Sequence, residues 1–143
     1  MSPCIVILDD EPHRIDEMKR CLTGNQLGDN VVIFDNAPKM IAWLGQFASH
    51  AALICLDHDL GPNRTIDGRP FDPGIGRDVA NYLGTIKPVC PVIVHTTNSL
   101  AAPGMKMVLD DAEWNHTAVV PYDDIRWIRE AWIDAVKAAL RPG

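Results

Sequence analysis

The stretch Ala52-Leu53-Ile54-Cys55-Leu56-Asp57-His58-Asp59-Leu60-Gly61 decides how this chain is read. A short apolar run ends abruptly in Asp-His-Asp and then a glycine. The run is too short for a typical helix and carries no polar face, which is the pattern of a central strand in a parallel sheet. Open α/β sheets bind their ligands just beyond the carboxyl ends of strands. Asp57, His58 and Asp59 fall there.

Upstream, the run from Pro3 to Leu8 reads as strand one and ends in Asp9-Asp10-Glu11. Pro12 suits the first turn of a helix, and Ile15, Met18 and Leu22 recur at helical spacing until Thr23-Gly24. Val31 to Phe34 is strand two. Asn36 is placed to N-cap a second helix with Ile41, Leu44 and Phe47 on its inner face.

Downstream, residues 61–75 are rich in glycine and proline and carry Arg64, Asp67, Arg69 and Asp72, so they read as an irregular insert. A third helix opens at Gly76, and Pro91 to Val94 is strand four, running into His95-Thr96-Thr97-Asn98. Met105, Val108, Leu109 and Ala112 mark a fourth helix, and Thr117 to Val120 a fifth strand closed by Pro121. Asp123 or Asp124 is the expected N-cap of a last helix with the stripe Ile125, Ile128, Trp132, Ala135 and Ala139. Strands alternating with helices give a doubly wound α/β fold. The expectation is a single domain over residues 1–143, flavodoxin-like, with a parallel five-stranded sheet in the order 2-1-3-4-5.

The formal charge of −6 over 143 residues argues against nonspecific binding of duplex DNA or of an anionic membrane surface. It leaves room for a small phosphate ligand, because a metal ion inverts the local sign. Cys4, Cys21, Cys55 and Cys90 show no Cys-x-x-Cys spacing and read as reduced thiols of a cytoplasmic protein. Ile5 to Leu8 is too short for a signal core, and no apolar run approaches the ~20 residues of a membrane span. Trp43, Trp114, Trp127 and Trp132 read as packing residues.

In the order 2-1-3-4-5, strands one, three and four are neighbours, so Asp9, Asp10 and Asp57 converge. A carboxylate pair at about 4 Å repels by roughly 4 kcal/mol at an effective dielectric of about 20. Several such pairs rival the ~5–15 kcal/mol stability of a whole domain, so the cluster calls for protons or a cation. An all-oxygen donor set suits Mg²⁺ or Mn²⁺. His58 and His95 flank the cluster, and imidazoles titrate near neutral pH and serve as acid and base.

This pattern resembles the receiver domains of response regulators. Ile7-Leu8-Asp9-Asp10-Glu11-Pro12 is similar to their acidic pair, Asp57 falls at the phosphoacceptor position, Thr96 at the hydroxyl position and Val120-Pro121 where receivers carry Lys-Pro. Valine in place of that lysine, His58-Asp59 after the acceptor and the long insert are departures. They resemble a narrower branch, the cyclic-phosphate-processing receiver-like family. The matching features are Leu56-Asp57-His58-Asp59-Leu60-Gly61, then Gly76-x-Asp78-Val79-Ala80, then His95-Thr96-x-Asn98 followed by Gly104-Met105.

The resemblance implies metal-assisted handling of a cyclic phosphate, a 2′,3′-cyclic-phosphate RNA end or a cyclic nucleotide. The expected enzyme is a phosphoric ester hydrolase. Asp9, Asp10 and Asp57 would hold the metal, and His58 and His95 would share proton transfer. Asp59 would orient an imidazole, while Thr96, Asn98, Arg64 and Arg69 would bind the phosphate. Two rivals stand beside this reading: a divergent phosphorelay receiver phosphorylated on Asp57, and a noncatalytic module that binds a phosphorylated ligand.

Overall fold

A computed structural model describes residues 4–141 of the chain. Pro3, the expected start of strand one, lies outside the described residues. Five parallel strands form the main sheet: β1 (Cys4–Leu8), β2 (Val31–Phe34), β3 (Ala51–Leu56), β6 (Val92–His95) and β7 (His116–Val119). Their spatial order is β2-β1-β3-β6-β7, the expected flavodoxin-like order. Every residue of the interior strand β1 is buried, as a strand covered on both faces requires.

Alternation along the strands splits the core into two layers. Val6, Leu8, Ile54, Leu56 and Val94 face α2 (Ala37–Phe47), α3 (Gly76–Leu83) and α4 (Ala102–Asp111). Ile5, Ile7, Leu53, Cys55 and Ile93 face α1 (Pro12–Gly24) and the C-terminal helix α5 (Ile133–Ala139). Asn36 caps α2 by accepting from the Lys39 N–H, as expected. The buried face of α2 is Ala37, Met40 and Leu44, with Ile41 and Phe47 only partly buried at its flank.

Two local expectations are corrected. Residues 61–75 are not wholly irregular: β4 (Arg64–Ile66) and β5 (Arg69–Phe71) pair antiparallel across the turn Asp67-Gly68. Both turn residues have positive φ, 52° and 75°, the geometry that two-residue hairpin turns demand and that Asp-Gly supplies. The flanking strands are three residues each and mostly exposed, so no apolar alternation announces them.

The C-terminal helix also starts differently. Asp123 and Asp124 sit in the left-handed region, at φ 49° and 57°, and neither is an N-cap. A π-helical turn, Ile128–Trp132, precedes α5, with the Ile133 N–H donating to the Ile128 carbonyl. In a regular α-helix, residues five apart point in different directions. The wide turn lets both Trp127 and Trp132 bury completely, so Trp127 joins the inward stripe while Ile125 is only partly buried.

Candidate functional site

The carboxyl ends of β1, β3 and β6 lie side by side and bring the three polar clusters to one edge. One carboxylate oxygen each from Asp9, Asp10 and Asp57 lies within 4.8 Å of the others. Asp9 and Asp57 are buried and Asp10 is half-buried. The loop is built to allow this approach. Gly61 has φ +77°, and a Cβ there would meet Asp10 Oδ2 at 2.9 Å. Gly76 packs so tightly under the acidic loop that a Cβ would meet the Asp57 carbonyl oxygen, and its N–H donates to the His58 carbonyl at 2.8 Å. That contact anchors the start of α3 against Asp57 and His58.

Arg14, in the first turn of α1, reaches into the cluster. Its Nη2 lies 3.0 Å from Asp57 Oδ2 and 3.2 Å from Asp9 Oδ1. Sequence reasoning missed this residue. The signal was its position: a cation in a first helical turn opposes the helix dipole and calls for anionic company.

His95 is 0% exposed. Its Nε2 lies 3.0 Å from Asp9 Oδ2, its ring stacks on Trp127 at 5.7 Å, and its Nδ1 is buried without a hydrogen-bond partner. The π-helical turn therefore serves the site: it is what brings Trp127 against His95. His58 is different. Its Nδ1 lies 2.8 Å from Asp59 Oδ1, and the Asp59 side chain is 64% exposed. Asn98 Nδ2 donates to the same Asp59 carboxylate at 3.2 Å.

The electrostatics follow burial and partners. Burial alone would push the Asp9 carboxyl up, but the His95 bond, the His95 and Arg14 charges and the Glu11 N–H together hold it below the usual carboxylate range. Burial pushes Asp57 up to about 6, with the Asp9 charge adding to it against His95, Arg14 and the His58 N–H. Asp10 is raised by burial and then by Asp9. The His58 bond holds Asp59 low. An ionised Asp59 only accepts, so His58 Nδ1 is the donor in this bond and Nε2 is left for a second partner.

The donor set fits a hard divalent cation. All three groups offer oxygen, and raised carboxyls beside a bridged one mark negative charge that one guanidinium does not neutralise.

The remaining predicted residues are less free. Thr96 Oγ1 accepts from the Asn98 N–H at 3.0 Å. Asn98 Oδ1 accepts from the N–H groups of Leu100 and Ala101, fixing the turn into α4. Arg64 pairs with Asp35 at 2.9 Å and lies over the Phe71 ring, although its charge still lowers Asp10. Arg69 is exposed on β5, opposite Ile66. Val120 is 67% exposed and supplies no charge.

Residues 4–111 match the family described as the cyclic-phosphate processing receiver domain. The chain belongs to this family. The match covers the acidic pair, the Asp57 loop and the His95 cluster, and ends before β7 and α5. Solved structures carry the likeness across the whole fold. The phosphorylated cyanobacterial phytochrome response regulator RcpA superposes with TM-score 0.68 at 16% identity, covering 96% of this chain and 92% of that one. The Mn²⁺-bound form of response regulator Rcp1 gives TM-score 0.68 at 14% identity over 95% and 92%. A CheY-like receiver domain protein from Methanospirillum hungatei JF-1 gives 0.64 at 16% over 97% of each chain. At these identities the likeness establishes the receiver fold. No curated protein matches the sequence. Among the described residues no helix of this receiver-like chain is long and apolar enough to cross a membrane.

Proposed function

We propose that this chain is a metal-dependent phosphoesterase that opens a cyclic phosphate, a 2′,3′-cyclic-phosphate RNA end or a cyclic nucleotide. The observation that carries the reading is the juxtaposition of three oxygen donors within 4.8 Å with a carboxylate-oriented imidazole on the same loop. Asp9, Asp10 and Asp57 would hold Mg²⁺ or Mn²⁺. Such an ion supplies Lewis-acid polarisation of the phosphoryl oxygens.

The chain's own residues divide the remaining work. His58 Nε2 takes a proton from the attacking water as its oxygen bonds to phosphorus and the ring P–O ester bond breaks. The departing oxygen collects a proton from solvent at the rim. Asp59 keeps His58 in the productive tautomer, as triad carboxylates do, and Asn98 holds Asp59. His95 has no atom exposed to solvent and acts as a positioning residue for Asp9. Thr96 accepts one bond and keeps its hydroxyl proton for a phosphate oxygen. Arg69, and Arg64 beyond its Asp35 pair, offer charge on the hairpin for the rest of the ligand.

The test is incubation of purified protein and Mg²⁺ or Mn²⁺ with 2′,3′-cyclic-phosphate oligonucleotides and cyclic nucleotides, followed by phosphorus NMR. Ring opening that depends on metal and on His58 is the expected result. Intact, tightly bound ligand would instead make the chain a binding module. A stable aspartyl phosphate formed from acetyl phosphate would make it a phosphorelay receiver. That outcome is disfavoured because Val120 stands where receivers carry the lysine that answers the phosphoryl charge.

A further inference from the structure

We propose that Arg14 is a resident counter-ion: it holds the metal-free site together, competes with the divalent cation for Asp9 and Asp57, and turns to the bound phosphate once the cation takes its place. The proposal rests on the metal-centre reading above. It starts from occupancy. A single nitrogen, Nη2, bridges Asp9 Oδ1 and Asp57 Oδ2, carboxylates from two neighbouring strands that both belong to the proposed ligand set. A guanidinium and a dication do not share those oxygens without mutual repulsion.

Three further observations mark the bridge as one that can be exchanged. Arg14 Nε is buried without a hydrogen-bond partner, so the bridge leaves part of the fork unused. Arginine binds carboxylate or phosphate best through two parallel N–H bonds, which this pose does not make with either aspartate. The residue sits in the first turn of α1, where the helix dipole disfavours a cation and the aspartates, with the Glu11 cap, compensate. Finally, the other candidate cations are committed elsewhere or distant from the carboxylates' bonds: Arg64 to Asp35, Arg69 on the exposed hairpin, and an uncharged Val120 at the end of β7. Among the described residues, Arg14 is the guanidinium already bonded to the cluster, so the phosphate would meet a cation one side-chain rotation away.

The experiment is isothermal titration of wild type, Arg14→Gln and Arg14→Lys, first with Mn²⁺ alone and then with inorganic phosphate on the Mn²⁺-loaded proteins. Arg14→Gln is expected to bind Mn²⁺ roughly tenfold more tightly than wild type and phosphate roughly tenfold more weakly. Arg14→Lys, a point charge without the fork, should fall between the two on both measures. If Arg14→Gln unfolds without metal, the lysine variant carries the test by the same two directions. Equal Mn²⁺ affinity in all the proteins, or unchanged phosphate affinity, overturns the proposal alone. Mn²⁺ binding by none of them overturns the metal-centre reading and the proposal together.

Discussion

His58 and His95 sit at the ends of adjacent strands, both buried and each bonded to an aspartate, yet Asp9 is sealed while Asp59 is 64% exposed. His95 is sealed between Asp9 and Trp127, with its second nitrogen unpartnered in the interior. His58, its side chain only 10% exposed, leans on an exposed Asp59 at the rim. In the proposed mechanism one imidazole holds a carboxylate still and the other trades protons, and the exposure of the partner carboxylate is what separates them.

Breaking each corner should therefore give a different symptom. The largest effect is expected at the rim: His58→Asn should lower turnover by ~10²–10⁴-fold while leaving the melting temperature nearly unchanged, measured by steady-state kinetics beside calorimetry. His95→Ala should instead destabilise the fold by about 3–5 kcal/mol, because Asp9 loses its buried partner and Trp127 its stacking face. An unchanged urea midpoint for His95→Ala would erase the distinction between the two histidines.

The buried corner should also respond to pH. Burial pushes the Asp57 carboxyl up to about 6 in the folded protein, against 3.8 for the free side chain, so between those values the folded protein binds more protons. Metal-free stability attributable to Asp57 therefore falls as pH rises from about 4 to about 6, by up to about 3 kcal/mol, and stays low above that. Asp9, held low, works in the opposite direction, so the comparison is with Asp57→Asn across the same pH series. Wild type should lose stability relative to the variant as pH rises, and saturating Mg²⁺ should restore it above pH ~6. A flat difference would mean that Asp57 is not held up in the folded protein.

Smaller effects sharpen the rim. Asp59→Asn should lower turnover by about 10–100-fold through loss of the His58 tautomer, with the midpoint of the pH–rate profile displaced. The smallest effect belongs to the hairpin, where Arg64→Ala should cost within ~1 kcal/mol of stability, since its pairing with Asp35 is half exposed.

Much of this was legible in residues taken alone. The apolar runs ending at Leu8, Leu56 and His95 identify strands buried on both faces, and their polar termini identify the functional edge. The hairpin escaped notice because its three-residue strands bury almost nothing, although Asp67-Gly68 is a strong turn signal. The π-helical turn escaped because a regular 3.6-residue period assigns Trp127 to a different face. Arg14 escaped because a charged residue on a helix is ordinarily solvated, and only the folded chain brings Asp57 to it.

By itself, then, the sequence determined the alternation of strands and helices, the sheet order and which carboxylates would crowd together. The alternation depends on hydrophobic periodicity and on where apolar runs stop, which are local properties; the order and the crowding follow once the flavodoxin-like arrangement is taken. The tertiary structure alone decided which histidine pairs with a sealed carboxylate and which with an exposed one, and what cation stands between Asp9 and Asp57. Those depend on desolvation and on distances between groups far apart in the chain, and no spacing along the backbone encodes them.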